Sequence, residues 1–350
     1  MSDPALVKDQ VKDQVKDGLA PSGAMAALRR RLLGPAALQK LLAFASLVLL
    51  LVYFSFASPA FMQTDNMINI LQATAVNGVL AIASTFVIIT AGIDLSVGTL
   101  MTFCAVMAGV FLTYWELPMW TGIVAAIVTG ALSGALSGTV ITKMKVPPFI
   151  ATLGMMLVLK GLALVVSGSK PIYFTNTENF SMISQDSLLG TLVPALPIPN
   201  AALILFVMAV LASVVLNRTA LGRYTFAIGS NEEAVRLSGV NVDRWKIIIY
   251  GLGGAICGVA GLLIASRINS AQPALGQGYE LDAIAAVVIG GTSLSGGTGT
   301  ILGTIIGAFI MSVLTNGLRI LSVAQEWQFV VTGVIIILAV YADMLRRNRA

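Results

Sequence analysis

Residues 119–142 read Met119-Trp-Thr-Gly-Ile-Val-Ala-Ala-Ile-Val-Thr-Gly-Ala-Leu-Ser-Gly-Ala-Leu-Ser-Gly-Thr-Val-Ile-Thr142. The stretch carries no charge, and as a helix it would extend about 36 Å. That exceeds the ~30 Å hydrocarbon thickness of a bilayer. Gly130, Gly134 and Gly138 recur every fourth residue and so lie along one helix face. Small residues at that spacing let a second backbone approach. Gly299, Gly303 and Gly307 repeat the spacing, and Gly254 with Gly258 adds a pair. Packing within one subunit is the plainer reading of these faces; a contact between subunits is the alternative.

The same signal recurs outward in both directions. Apolar runs of membrane length are predicted near 41–58, 70–92, 96–115, 119–142, 148–167, 200–216, 246–265, 283–297, 299–317 and 328–345. The expected fold is an all-α transmembrane bundle of about ten helices. A Gly-rich stretch divides the eighth run from the ninth. Of the 350 residues, 57% are hydrophobic and 11% charged, against about 25% charged in soluble domains. This excludes a soluble enzyme, a disordered chain and a nucleic-acid-binding domain. There is no His, and Cys104 and Cys257 both sit in apolar runs. No metal site is therefore expected, and both cysteines read as small buried hydrophobes.

Residues 1–40 form a polar N-terminal tail with a repeat, Val7-Lys8-Asp9-Gln10, Val11-Lys12-Asp13-Gln14, Val15-Lys16-Asp17. The tail is expected to be flexible, with the first apolar run after Lys40 a true span rather than a cleaved signal. Segments 41–345 form the transmembrane body, and 346–350 a short C-terminal tail. Ten spans put both termini on one side. The segments on that side hold 17 Lys/Arg against 3 on the other, so that side is expected to be cytoplasmic. Residues 168–199 then form a polar outer stretch, and 217–246 the long inner loop.

Two segments between apolar runs resemble each other. Residues 91–99 read Ala-Gly-Ile-Asp-Leu-Ser-Val-Gly-Thr, and 290–298 read Gly-Gly-Thr-Ser-Leu-Ser-Gly-Gly-Thr. Gly92, Leu95, Ser96, Gly98 and Thr99 match Gly291, Leu294, Ser295, Gly297 and Thr298. Irregular backbone in a bilayer is tolerated only where protein buries it or a cavity is lined by it. One reading makes the pair capping turns, with Ser96 or Asp94 capping the third span and Ser295 or Thr298 the ninth. The other lines a transport pathway with Asp94, Ser96, Ser293 and Ser295. Gln72, Asn77, Thr152, Lys160 and Asn316 are further polar residues within spans; Asn77, Thr152 and Asn316 join the pathway candidates.

In the inner loop, Ser230 or Asn231 can N-cap a short helix whose first turn holds Glu232 and Glu233. Ala234, Arg236, Leu237 and Ser238 follow, and Gly239 is a natural stop. So short a helix is marginal alone in water, which suggests docking into a partner. No phosphate-binding Gly-x-x-x-x-Gly-Lys-[Ser/Thr] loop and no nucleophile-base set occur in the sequence. The chain is expected to be a non-catalytic transport subunit without a cofactor of its own.

At this level of detail the chain resembles a known family. Ile88-Ile-Thr-Ala-Gly-Ile-Asp-Leu-Ser-Val-Gly98, Pro147-Pro-Phe-Ile-Ala-Thr-Leu-Gly154, Ala227-Ile-Gly-Ser-Asn-Glu-Glu-Ala234 with Leu237-Ser-Gly-Val240, and Ala286-Val-Val-Ile-Gly-Gly-Thr-Ser-Leu-Ser-Gly-Gly297 carry the likeness. They look like the membrane permease subunit of ribose-type monosaccharide ABC importers. The resemblance covers about 41–345. It implies two permease copies in the bacterial inner membrane, a cytoplasmic ATPase that binds ATP and Mg, and a periplasmic sugar-binding protein. It maps the ATPase-coupling segment onto Gly229–Gly239. No nucleic acid is implied. The rivals are an ion-coupled secondary transporter, which would need an intramembrane acid such as Asp94, and a permease of this type for a branched-chain amino acid or nucleoside.

Overall fold

The structure is a computed structural model that describes residues 35–175, 177, 179–193 and 197–347. The Val-Lys-Asp-Gln repeat, the triple arginine before the first span and the last three residues lie outside the described residues. Thirteen α-helices account for most of the described chain. They are α1 (Pro35–Ala57), α2 (Thr64–Ile89), α3 (Val97–Gly109, continued by a π turn to Tyr114), α4 (Met119–Lys143) and α5 (Pro148–Ser167). Then come α6 (Leu188–Leu192), α7 (Asn200–Arg218), α8 (Ala220–Ser230), α9 (Glu232–Leu237), α10 (Val242–Ile268), α11 (Tyr279–Ile289), α12 (Ile301–Ile320) and α13 (Gln325–Arg347).

Seven of these are long and apolar enough to cross a bilayer: α2, α3 with its π turn, α4, α5, α7, α10 and α12. The described apolar parts of α1 and α13 are shorter, at Leu41–Ala57 and Gln325–Tyr341. The helices match nine of the ten expected spans. The eighth is different. In place of 283–297, α11 has 11 residues, about 16 Å, or half a bilayer. Gly278 precedes it at φ 98°, and Gly291, Gly296 and Gly297 follow at φ 94°, 84° and 74°. A helix cannot run through such left-handed positions, and apolarity alone does not register them.

Helices α2, α3 and α10 are buried on most faces; α4, α5 and α7 bury one face and expose apolar side chains such as Leu132, Leu157 and Val210 on the other. Helices apolar all round suit lipid on one side and protein on the other. Without a hydrophobic drive between helices in lipid, close van der Waals contact must hold them. The glycines supply it. A Cβ at Gly130 would overlap the carbonyl oxygen of Gly254, and one at Gly254 that of Gly130. Gly134 meets Tyr250, Gly138 meets Ile247, and Gly258 meets Ala126. The two stripes on α4 and α10 are thus one seam within the chain. Gly307 likewise meets Ala286 of α11 and Gly303 meets Gly290 just past its end, while Gly299 meets Thr292 and Ile89.

At the opposite end from 217–246, the stretch after α5 is tied down. Strands β1 (Ile172–Tyr173) and β2 (Ser270–Ala271) pair antiparallel, with Ile172 opposite Ala271. The Ser266 hydroxyl accepts from Ser184 N at 2.9 Å and donates to Phe180 O at 2.8 Å.

Candidate transport pathway and coupling junction

The first copy of the duplicated motif is the turn between α2 and α3. Ala91 there takes a left-handed φ of 59°, and Gly92 packs against the Tyr250 hydroxyl, 2.6 Å from where a Cβ would stand. The Asp94 Oδ1 accepts both the backbone N–H of Ser96 at 2.8 Å and its hydroxyl at 2.6 Å. The Thr152 hydroxyl oxygen accepts from Leu95 N at 3.2 Å and lies 2.9 Å from Pro148 O and 3.2 Å from Ile93 O. Ser96 is the residue before the helix, yet its side chain makes no cap bond; Asp94, two residues earlier, binds the local N–H instead. Asp94 is 6% exposed and Ser96 fully buried.

This turn lies below the end of the bundle. Thr152, which binds its backbone, is the fifth residue of α5, so the turn sits about one helical turn, ~6 Å, inside that end. Irregular backbone at such depth must be satisfied by protein, and Asp94 and Thr152 do that. This is the physical reason for their presence.

The second copy is the turn between α11 and α12, and it touches the first. Gly297 N donates to Ile89 O at 2.9 Å, and a Cβ at Gly296 would stand 2.8 Å from Ala91 N. Ser293 is buried and its Oγ accepts from Ser295 N at 3.4 Å, while Ser295 itself is exposed. Neither Ser295 nor Thr298 caps α12. Thr300 does, accepting from Gly303 N, because three glycine-bent residues carry the chain past the earlier positions before helical geometry begins.

A third piece closes the junction. Helix α8, unforeseen in the reading of the 217–246 loop, begins at a Thr219 cap and ends at Gly229–Ser230. A Cβ at Gly229 would overlap Ile89 O and lie 2.6 Å from Gly297 N; Ser230 backs onto Gly297. Thr219, a cap-type residue three positions before Gly222, was the available signal in the sequence; in the structure Gly222 packs closely on Leu216 O. Asn231 then caps α9, accepting from Ala234 N at 2.9 Å, and Gly239 ends the motif at φ 86°. Glu232 pairs with Lys246 at 2.6 Å and Arg236 at 3.1 Å, and Arg236 with Asp243 at 3.2 Å. Partial burial pushes the Glu232 carboxyl up; the hydrogen bonds and charges of Lys246 and Arg236 outweigh it and hold it below its usual value. Leu237 is 82% exposed. Between α9 and the α4–α5 connection lies a cleft of about 480 Å³ lined by Lys145, Pro147, Arg236 and Asp243, among others.

The structure also gathers polar residues that sequence reasoning left scattered or missed. Residues 272–278 leave β2 as non-helical backbone and run inward until Gly276 rests on Gly98 and Thr102 of α3. Two residues beyond Thr102, Cys104 faces Gly130, near the middle of α4, so this irregular segment reaches mid-bundle depth. Glu280, in the first turn of α11, is buried and accepts from Gly278 N at 3.1 Å; Asp94 is thus not the one buried acid. Lys160 Nζ donates to Gln277 Oε1 at 3.1 Å. Thr99, Thr102, Lys160, Pro273 and Gln277 line a cavity of about 10 Å³, room for one water. The glycines flanking Gln277 were the signal for this break.

Asn77 and Asn316 join neither group. Asn77 lies twelve residues before the end of α2, its Oδ1 buried without a partner. Asn316 donates to Asn66 Oδ1 at 2.9 Å, at the opposite end of α2 from the junction.

Comparison with known proteins supplies the context. The profile of the family described as "Branched-chain amino acid transport system / permease component" matches residues 66–340. The chain is 44% identical over 298 residues to the ribose import permease protein RbsC of Escherichia coli (strain K12), covering 85% of this chain and 91% of that one. It is 42% identical over 308 residues to the RbsC of Bacillus subtilis (strain 168), covering 87% and 93%. It is 38% identical to the fructose import permease protein FrcC of Rhizobium meliloti, covering 83% and 81%. No solved structure matched. With the family's profile matching most of its length, residues 66–340, this chain belongs to the branched-chain amino acid transport system permease component family.

Proposed function

We propose that the chain is the membrane subunit of an ATP-driven importer for a monosaccharide, ribose or a related pentose or hexose, with the nucleotide and Mg held by a separate ATPase. The relatives named for ribose, fructose and xylose import support the sugar class. A periplasmic binding protein delivers the solute, and two copies of this chain in the inner membrane form the conduit, with both termini in the cytoplasm. Residues 1–40 and 346–350 are tails on that side, and 41–345 is the permease domain.

One observation carries the reading: Gly229–Ser230, at the root of α9, rests main chain to main chain on both duplicated turns. In this account the ATPase docks on α9 through residues such as Glu233, Leu237 and Ser238. Displacing α9 moves α8, and α8 acts on the turns at 90–96 and 291–299. These join α2 to α3 and α11 to α12, so helices that flank the polar crevice at Thr102 and Gln277 shift together. The ATPase can drive this only by holding one permease conformation more strongly than the other. Asp94, Ser96 and Thr152 shape the turn. Ser293 and Ser295 lie in its partner turn, and Ser295 is the one open to solute. Asn77 and Asn316, away from this junction, have no part in the coupling step.

The test is uptake into proteoliposomes containing this chain, its ATPase and the binding protein. Radiolabelled ribose should accumulate only with all three and ATP. Accumulation by the chain alone, driven by an ion gradient, would overturn the reading.

A further inference from the structure

Among the described residues, Lys160 is the basic side chain furthest from the ends of a membrane-crossing helix. Lys160 is the thirteenth of the 20 residues of α5, about 18 Å from the helix start. A lysine facing lipid would stretch its ammonium towards the headgroups. Lys160 instead turns to the bundle and donates to Gln277 Oε1 at 3.1 Å. Gln277 sits on the non-helical segment 272–278, and both Gln277 and Ala274 are exposed on the single chain. Neither bare backbone nor an exposed amide is tolerated against hydrocarbon at this depth. This face is therefore turned away from lipid, towards the second copy and the conduit the two copies form. The four ion pairs among the described residues do not include Lys160. Its hydrogen-bond partner is a neutral amide, and the buried Glu280 nearby accepts from Gly278 N and makes no ion pair with it.

We propose that Lys160 is the charge filter of the conduit: held over the crevice by Gln277, its ammonium lets uncharged polyhydroxylated solutes pass and repels inorganic cations and cationic solutes. The inference rests on the permease reading and adds to it the chemical class the crevice accepts. A neutral sugar feels no net repulsion and meets hydroxyl and amide partners at Thr99, Thr102 and Gln277. A monovalent cation about 5 Å from the ammonium, at an effective dielectric of ~20, is disfavoured on the order of a hundredfold. A conduit that opens at every ATP cycle needs such a barrier, because sodium entering with each sugar would run down the membrane potential.

The experiment uses the full complex in proteoliposomes and measures radiolabelled sodium entering per ribose imported during ATP turnover. The expected ratio for Lys160→Arg is that of the unaltered complex. Lys160→Gln should raise it about tenfold and Lys160→Glu further. Gln277→Glu, which sets a carboxylate against an intact Lys160, should raise it as well and guards against misassembly of the lysine variants. An unchanged ratio in Gln277→Glu and in whichever lysine variants assemble overturns the filter. If the unaltered complex imports no ribose, the permease reading itself fails, and with it the filter.

Discussion

Replacing Gly229 by Ala adds one methyl group at the junction of α8 with the two turns. The new Cβ would overlap the Ile89 carbonyl oxygen and stand 2.6 Å from Gly297 N and 2.8 Å from the Ile89 carbonyl carbon. Carbon contacts settle at about 3.5–4.0 Å. All three neighbours are main-chain atoms, so no rotamer change gives relief. Either α8 retreats by about 1 Å, or the 2.9 Å hydrogen bond from Gly297 N to Ile89 O opens. Overpacking of this kind costs about 1–3 kcal/mol, and an opened buried amide about 1–3 more. A central figure of about 3 kcal/mol shifts a two-state equilibrium roughly a hundredfold. The α9 surface is untouched, so the complex should assemble and hydrolyse ATP. Ribose imported per ATP hydrolysed should fall at least about tenfold. Gly154→Ala is the control: no atom lies within 4 Å of its added Cβ, and import per ATP should hold. Normal import per ATP in Gly229→Ala, with unaltered thermal stability, would refute the view that α8 drives the turns through this contact.

Three further outcomes are expected. Thr152→Val removes the acceptor of Leu95 N and should lower the unfolding free energy in detergent by about 1–3 kcal/mol; Thr152→Ser should recover most of it. Gly92→Ala should be destabilising because its Cβ meets the Tyr250 hydroxyl at 2.6 Å. Tyr250→Phe, which removes a buried hydroxyl without a partner, should be nearly neutral alone and rescue part of the Gly92→Ala loss, read as a double-mutant cycle. Because the folded Glu232 carboxyl lies below its ordinary value, its contribution is present above the ordinary carboxylate range and is lost as pH falls through the folded value. Amide-exchange protection of α9, corrected for intrinsic exchange, should hold from about pH 8 to about pH 5 and fall below that; Glu232→Gln should weaken the pH dependence, and the remainder belongs to Asp243, which desolvation pushes up but Lys143 and Arg236 also hold below its ordinary value.

Much of the architecture was legible because apolar length and absent charge are local properties. Nine of the ten expected runs coincide with helices, and α9 has the Asn231 cap, first-turn glutamates and Gly239 stop read from its residues. The eighth run misled because hydropathy sums apolarity and ignores backbone handedness, which Gly278, Gly291, Gly296 and Gly297 alter. The site was legible only in pieces. Similarity between 91–99 and 290–298 marked two unusual segments, but not that Gly297 N would reach Ile89 O, since that contact joins positions about two hundred residues apart. Lys160 was visible as an odd charge. Its partner Gln277 was not, because the pairing depends on how deep the 272–278 segment descends.

A junction made of main chain leaves little room for change by side chain. At Gly229 and Gly296 an added methyl group would meet backbone atoms, and at Gly297 it would sit on a left-handed backbone. If this contact transmits motion, as proposed, a change of cargo is open to positions 99, 102 and 277 around the crevice and closed at the contact itself.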